Sequence, residues 1–211
     1  MKTPEADNDP HPRSISAIVL AAGRSRRMGQ PKQLLVLSAK DTVIQVVTRV
    51  IGPLVQQVVV VVGHVGGQVA ASLADQEITL AINTDVDRGM LSSVQVGIRA
   101  VEEQCEGYLI CLGDQPSLRA AVIDAVLRNA AAGAGIVIPT YDGRRGHPVF
   151  IHRRYREEIL ALDPETTGLN AVTRSHDDDT VEVAWRDARI LDDMDTPADY
   201  AREFKRAGLA D

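Results

Sequence analysis

Residues 15–32 read ISAIVLAAGRSRRMGQPK. An apolar run, 15–21, passes without a break into a glycine-containing loop carrying Arg24, Arg26, Arg27 and Lys32. The run reads as a buried strand, so the loop lies at its carboxyl end, where α/β proteins receive anionic ligands. Four cations within nine residues, on a chain of net charge −6, point to a polyphosphate rather than a nucleic-acid surface. The spacing is neither GxxxxGK[ST] nor GxGxxG, so the loop is neither a P-loop nor a dinucleotide fingerprint.

Working outward, Val- and Ile-rich runs alternate with helical stretches. Strands are expected over 15–21, 57–62, 78–82, 108–112, 135–139, 148–151 and 180–185. Helices are expected over 41–51, 67–73, 92–103, 118–131, 154–162, 168–175 and 196–206. This alternation predicts an α/β fold: a Rossmann-like, mostly parallel sheet with helices on both faces. A turn-rich segment, YDGRRGHPVF (141–150), interrupts the rhythm and predicts a small antiparallel addition. Residues 1–14 are polar, acidic and proline-bearing and read as a disordered lead-in; residues 15–208 read as a single domain.

Aromatic residues make up 3% of the chain, too few for the stacking platforms of single-strand binders; with the acidic balance this excludes nucleic acid as a partner. No apolar run approaches the roughly 20 residues that span a bilayer, and the amino terminus has no signal-peptide core. Only Cys105 and Cys111 occur, read as reduced thiols in or beside a strand. A cytoplasmic location follows as the expectation.

Three further segments hold chemistry-bearing side chains. In YLICLGDQP (108–116) an apolar strand delivers Asp114 at its carboxyl end; a helix cap is the plain reading, and a magnesium ligand the chemical one. LDDMDTPADY (191–200) supplies Asp192, Asp193 and Asp195 before Thr196-Pro197, a helix-start signature that acidic residues also suit. NTDVDRGMLSS (83–93) ends in a serine pair that reads first as an N-cap.

LAAGRSRRMGQPK resembles the signature loop LAAGxSxRMGxxK of the MobA-like nucleotidyltransferases. The other segments are similar, in order, to that family's N…GM.SS, GD.P, GHP and DTPEDY motifs. LAAG, GDQP and GHPV bring the likeness nearest to the MocA-type branch, the molybdenum cofactor cytidylyltransferases. The resemblance implies a nucleotide-diphospho-sugar transferase-like fold. It further implies transfer of CMP from CTP, or of another nucleotide from its triphosphate, to a molybdopterin-type acceptor, with Mg²⁺ as cofactor. Under it, Leu20, Ala21, Ala22 and Gly23 lie against base and ribose, where small residues admit close backbone approach. Arg24 and Lys32 meet phosphates; Asn83, Gly89, Ser92 and Ser93 face the base. Asp114 and Asp195 hold the metal, with Asp193 in reserve, and Gly146 and His147 line the acceptor cavity. The catalytic group is then Lys32, Arg24 and Asp114. His147 has no required proton-transfer role, because an acceptor phosphate is already anionic near neutral pH. Where relatives carry GDxGAR this chain reads DPETTGLNAV (163–172), a departure on the acceptor side. It leaves open another phosphorylated acceptor, such as a sugar phosphate, or the use of GTP. A non-catalytic accessory that hands cofactor to a molybdoenzyme is the reading from another class.

Overall fold

The computed structural model describes residues 14–25, 27–37 and 41–207 of the 211-residue chain. Arg26 and the lead-in up to residue 13 lie outside them. The strands are β1 (Ile15–Ala21), β2 (Gln57–Val62), β3 (Thr79–Ile82), β4 (Gly107–Leu112), β5 (Ile136–Tyr141), β6 (Arg144–Arg145), β7 (Val149–His152) and β8 (Thr180–Ala184). The helices are α1 (Val43–Ile51), α2 (Gly66–Ser72), α3 (Met90–Ala100), α4 (Ala120–Ala131), α5 (Arg156–Ala161), α6 (Asn170–Ser175) and α7 (Pro197–Arg206).

One sheet runs β3-β2-β1-β4-β7-β5-β6, with β8 on β5. Its first four strands are mutually parallel, and β8 is parallel to β5. Alternation along β1 explains the double covering. Ala17, Val19 and Ala21 face one apolar layer with Ile44, Val47 and Leu127 of α1 and α4, while Ile18 faces the other with Leu91, Val94 and Ile98 of α3. Val58 to Val62 of β2 are all buried, as a strand covered on both faces demands. Each such side chain contributes about 1.5–3 kcal/mol through burial. Cys111 and Cys105 fall in opposite layers, both as buried free thiols.

The antiparallel element is not an appendage. β7 lies between β4 and β5 and pairs antiparallel with both. β6 continues its direction against the far half of β5, so the segment Gly146–Pro148 interrupts what would otherwise be one hairpin arm. The short, exposed Arg144–Arg145 strand has no apolar period and left no mark in the hydrophobic pattern. Among the described residues no helix is long and apolar enough to cross a membrane.

Candidate active site

The order 3-2-1-4 sends the chain to opposite sides of β1, and a crevice opens at the carboxyl ends of β1 and β4. Leu20 pairs with Leu112 there, and the Gly113 N–H donates to the Leu20 carbonyl at 3.0 Å. A Cβ at Gly113 would sit 2.9 Å from that carbonyl oxygen, so only glycine lets the two strand exits meet this closely. Asp114 follows, emerging into the crevice. Its carbonyl accepts the Met194 N–H at 3.1 Å, which lays the segment Asp193–Asp195 beside it.

The cation-rich loop closes on these carboxylates. Lys32 Nζ forms ion pairs with Asp114 Oδ2 and, at 2.8 Å, with Asp195 Oδ1, while Arg27 Nη2 reaches Asp195 Oδ2 at 2.8 Å. The Lys32 and Asp114 side chains are only 12% and 13% exposed, so their attraction is weakly screened. Burial pulls the Lys32 ammonium down, but Asp114 and then Asp195 outweigh it and hold it above its ordinary value. The hydrogen bond from Lys32 holds the Asp195 carboxyl below its ordinary range, against burial. Asp193 is pushed upward by burial and by the negative charges of Asp195 and Asp114. Asp193 thus adds a third acidic side chain to the cleft, beside the pair that Lys32 holds.

The loop's shape rests on residues that carry no charge. The Lys32 N–H donates to Ser25 Oγ at 3.0 Å. Buried Gln33 donates through Nε2 to the carbonyls of Ala21 and Gly23, at 3.0 and 3.4 Å. Nothing in the sequence signalled this bracing role for Gln33. Met28 packs beside Leu35, Leu37, Val43 and Met194, an apolar clasp between loop and acidic segment. Arg24 pairs with Asp87 across the mouth.

A cleft of about 340 Å³ lies between these elements. Of the residues singled out in the sequence, Leu20, Ala22, Gly23, Arg24, Lys32, Gly89, Ser93, Asp114 and Asp195 line it, and Asp193 joins them. Three do not. Ala21 points into the core, 1% exposed. Asn83 and Ser92 are buried behind Ser93, where Asn83 Nδ2 donates to both serine hydroxyls at 2.9 Å. The serine pair is not the N-cap of α3. Gly89, at φ +93°, takes that place and starts the helix at Met90, two residues earlier than the serines suggest.

A second hollow, about 520 Å³, adjoins the first and shares Gly89 and Met90 with it. Gly146 and His147 line it, as does the departing segment 164–170. The His147 N–H donates to the Ile190 carbonyl at 3.0 Å, and the His147–Pro148 bond is cis. Burial pulls the His147 imidazole down to about 4, against the opposing pull of Asp193. The ring is therefore neutral at pH 7. Among the described residues no three His, Cys, Asp or Glu side chains are grouped to hold a metal by themselves. Asp114 and Asp195 offer two hard oxygen donors, a set that suits a hard divalent cation completed by substrate phosphates.

Several known proteins are similar to this chain. The chain is 29% identical to the molybdenum cofactor cytidylyltransferase of Escherichia coli (strain K12), over 92% of this chain and 97% of the relative. It is 29% identical to a probable molybdenum cofactor guanylyltransferase of Mycobacterium marinum, over 88% and 91%. The crystal structure of Rv0371c from Mycobacterium tuberculosis H37Rv superposes with a TM-score of 0.81 at 29% identity, covering 91% of this chain and 97% of that one. A structure of Rv0371c in complex with manganese superposes with a TM-score of 0.77 at 27% identity, over 91% and 98%. Nucleotidyltransferases with the nucleotide-diphospho-sugar transferase fold are thus its structural neighbours, and that fold is its own. The model of the MobA-like NTP transferase domain matches residues 17–181, and with that match this chain belongs to the MobA-like NTP transferase family.

Proposed function

We propose that the protein transfers CMP from CTP to the phosphate of a molybdopterin-type acceptor, releasing pyrophosphate. The observation that carries this reading is the meeting of Lys32, Asp114 and Asp195 in one cleft beside a glycine-bearing loop. The base and ribose lie along Leu20, Ala22, Gly23, Gly89 and Ser93, and the triphosphate runs toward Lys32 and Arg24. An acceptor phosphate oxygen, delivered from the hollow of Gly146 and His147, forms the new bond to the α-phosphorus. The bond from that phosphorus to the bridging oxygen breaks, and pyrophosphate leaves with the electron pair. Lys32 turns from the carboxylates to the phosphates and offsets the charge that gathers there. Mg²⁺, held by Asp114 and Asp195, supplies further neutralisation when bound. His147, uncharged, offers the acceptor a neutral polar contact rather than a positive charge.

Cytidine is favoured by the LAAG, GDQP and GHPV segments. Residues 164–170 favour a second acceptor, because Thr166, Thr167 and Asn170 add no cation to a hollow whose wall has Arg145. The deciding experiment mixes the purified protein with each of four nucleoside triphosphates, Mg²⁺ and either molybdopterin or a sugar phosphate, and follows pyrophosphate. Release with CTP and molybdopterin is the expected result; release only with another phosphorylated acceptor would replace that acceptor, and none with any would remove the transfer reading.

A further inference from the structure

The hydrogen bonds behind the cleft fix the direction of every proton around Ser93. The Asp85 backbone N–H can only donate, and it donates to Asn83 Oδ1 at 2.9 Å. That bond pins the amide, so Asn83 Nδ2 must face the serines, and it gives its two protons to Ser92 Oγ and Ser93 Oγ, each at 2.9 Å. Ser92 spends its own proton on the Gly89 carbonyl at 2.7 Å. Ser93 already accepts from Asn83, and among the described residues its proton has no acceptor. Asn83, Ser92 and Ser93 are 3%, 5% and 6% exposed, so bulk water does not blur this directionality. Ser93 nevertheless lines the cleft, as do Gly89, Leu20 and Leu112.

We infer that Asn83 sets the hydrogen-bond polarity of the nucleobase pocket, obliging Ser93 to present a proton to a base atom that carries a lone pair and no hydrogen. The inference rests on the nucleotide reading of this cleft and adds a positioning residue to it. A base that places an N–H opposite Ser93 meets two donors face to face. One that places a carbonyl oxygen or unprotonated ring nitrogen there satisfies an otherwise stranded proton. Aspartate at position 83 would keep the shape and the bond to Asp85 but could only accept. Ser93 would then turn its proton inward and show the cleft a lone pair.

The test is calorimetric binding of CTP, UTP, GTP and ATP, with Mg²⁺, to the wild type, Asn83→Asp, Ser93→Ala and the double variant. Asn83→Asp is expected to weaken the preferred triphosphate about tenfold and to change the order of preference. In the Ser93→Ala background the same change is expected to do nothing further to that order. An equal loss for all four triphosphates, or a full effect of Asn83→Asp without the Ser93 hydroxyl, would overturn the inference while leaving the nucleotide cleft standing. If Asn83→Asp does not fold, Ser93→Ala alone decides: it must erode the preference for the best base, and an unchanged preference refutes the polarity. Failure of the wild type to bind any of the four would instead remove the nucleotide reading, and this inference with it.

Discussion

Asp114 is held by very little besides Lys32: one ion pair, one backbone contact and the end of a strand. Asp114→Asn is therefore expected to leave the fold intact, since Lys32 keeps Asp195, while pyrophosphate release falls by about 10²-fold or more. Thermal unfolding beside a pyrophosphate assay checks both halves. His147 makes a different kind of prediction. Its native value near 4 lies below the ordinary 6.5, so the unfolded chain binds the extra proton between those limits, and stability rises with pH across that window. His147→Asn should flatten the stability–pH curve from about 6.5 down to 4, read as urea midpoints at several pH values. Both residues were legible in the sequence because each sits in a short motif beside a strand. Gln33 was not, because a neutral side chain that braces two carbonyls leaves no local pattern. Asn83 was legible as a member of the site but misplaced within it, since only the fold shows that its protons are spent on the serines.

At the scale of elements, α7 is the most exacting support of the site, because Asp195 stands just before its first turn. Thr196 and Asp199 cap each other: Thr196 Oγ1 accepts the Asp199 N–H at 3.2 Å, and Asp199 Oδ2 accepts the N–H groups of Thr196 and Asp195 at 2.8 and 3.2 Å. The Thr196 hydroxyl leads in pulling the Asp199 carboxyl down to about 2, against burial. A depressed carboxyl stabilises above its unfolded value and loses that contribution as pH falls through its folded one. Asp199→Asn should therefore cost about 1 kcal/mol at pH 7, and the gap to wild type should close as pH drops from 4 toward 2. Denaturant titrations of the two proteins at matched pH test it. The core strands were legible almost to the residue, because Val and Ile runs end at glycine, proline or polar turns. The start of α3 was not, because a positive φ at Gly89 outweighed the more familiar serine cap.

Across the whole molecule, distant chain segments are clamped so that the acidic pair stays together. Ser117, three residues beyond Asp114, donates to buried Glu203 of α7, and Arg206 Nη1 reaches both Glu203, at 2.5 Å, and Asp192, at 2.8 Å. Glu203→Ala strands the buried Ser117 hydroxyl and leaves Arg206 with Asp192 but without its helix partner, so unfolding free energy is expected to fall by about 3 kcal/mol in urea. The strand order that permits such a clamp was not legible. Periodicity marks a strand but not its neighbours, and nothing in Val149–His152 says that it will slip between β4 and β5. Gly89 and Met90 form a partition between the two hollows, and Met90, 61% exposed, belongs to both. Two chambers with one common wall cannot be tuned separately. Met90→Ala should raise KM for nucleotide and for acceptor together in steady-state kinetics, because whichever substrate arrives first finishes the wall for the second, and each therefore tightens the grip on the other.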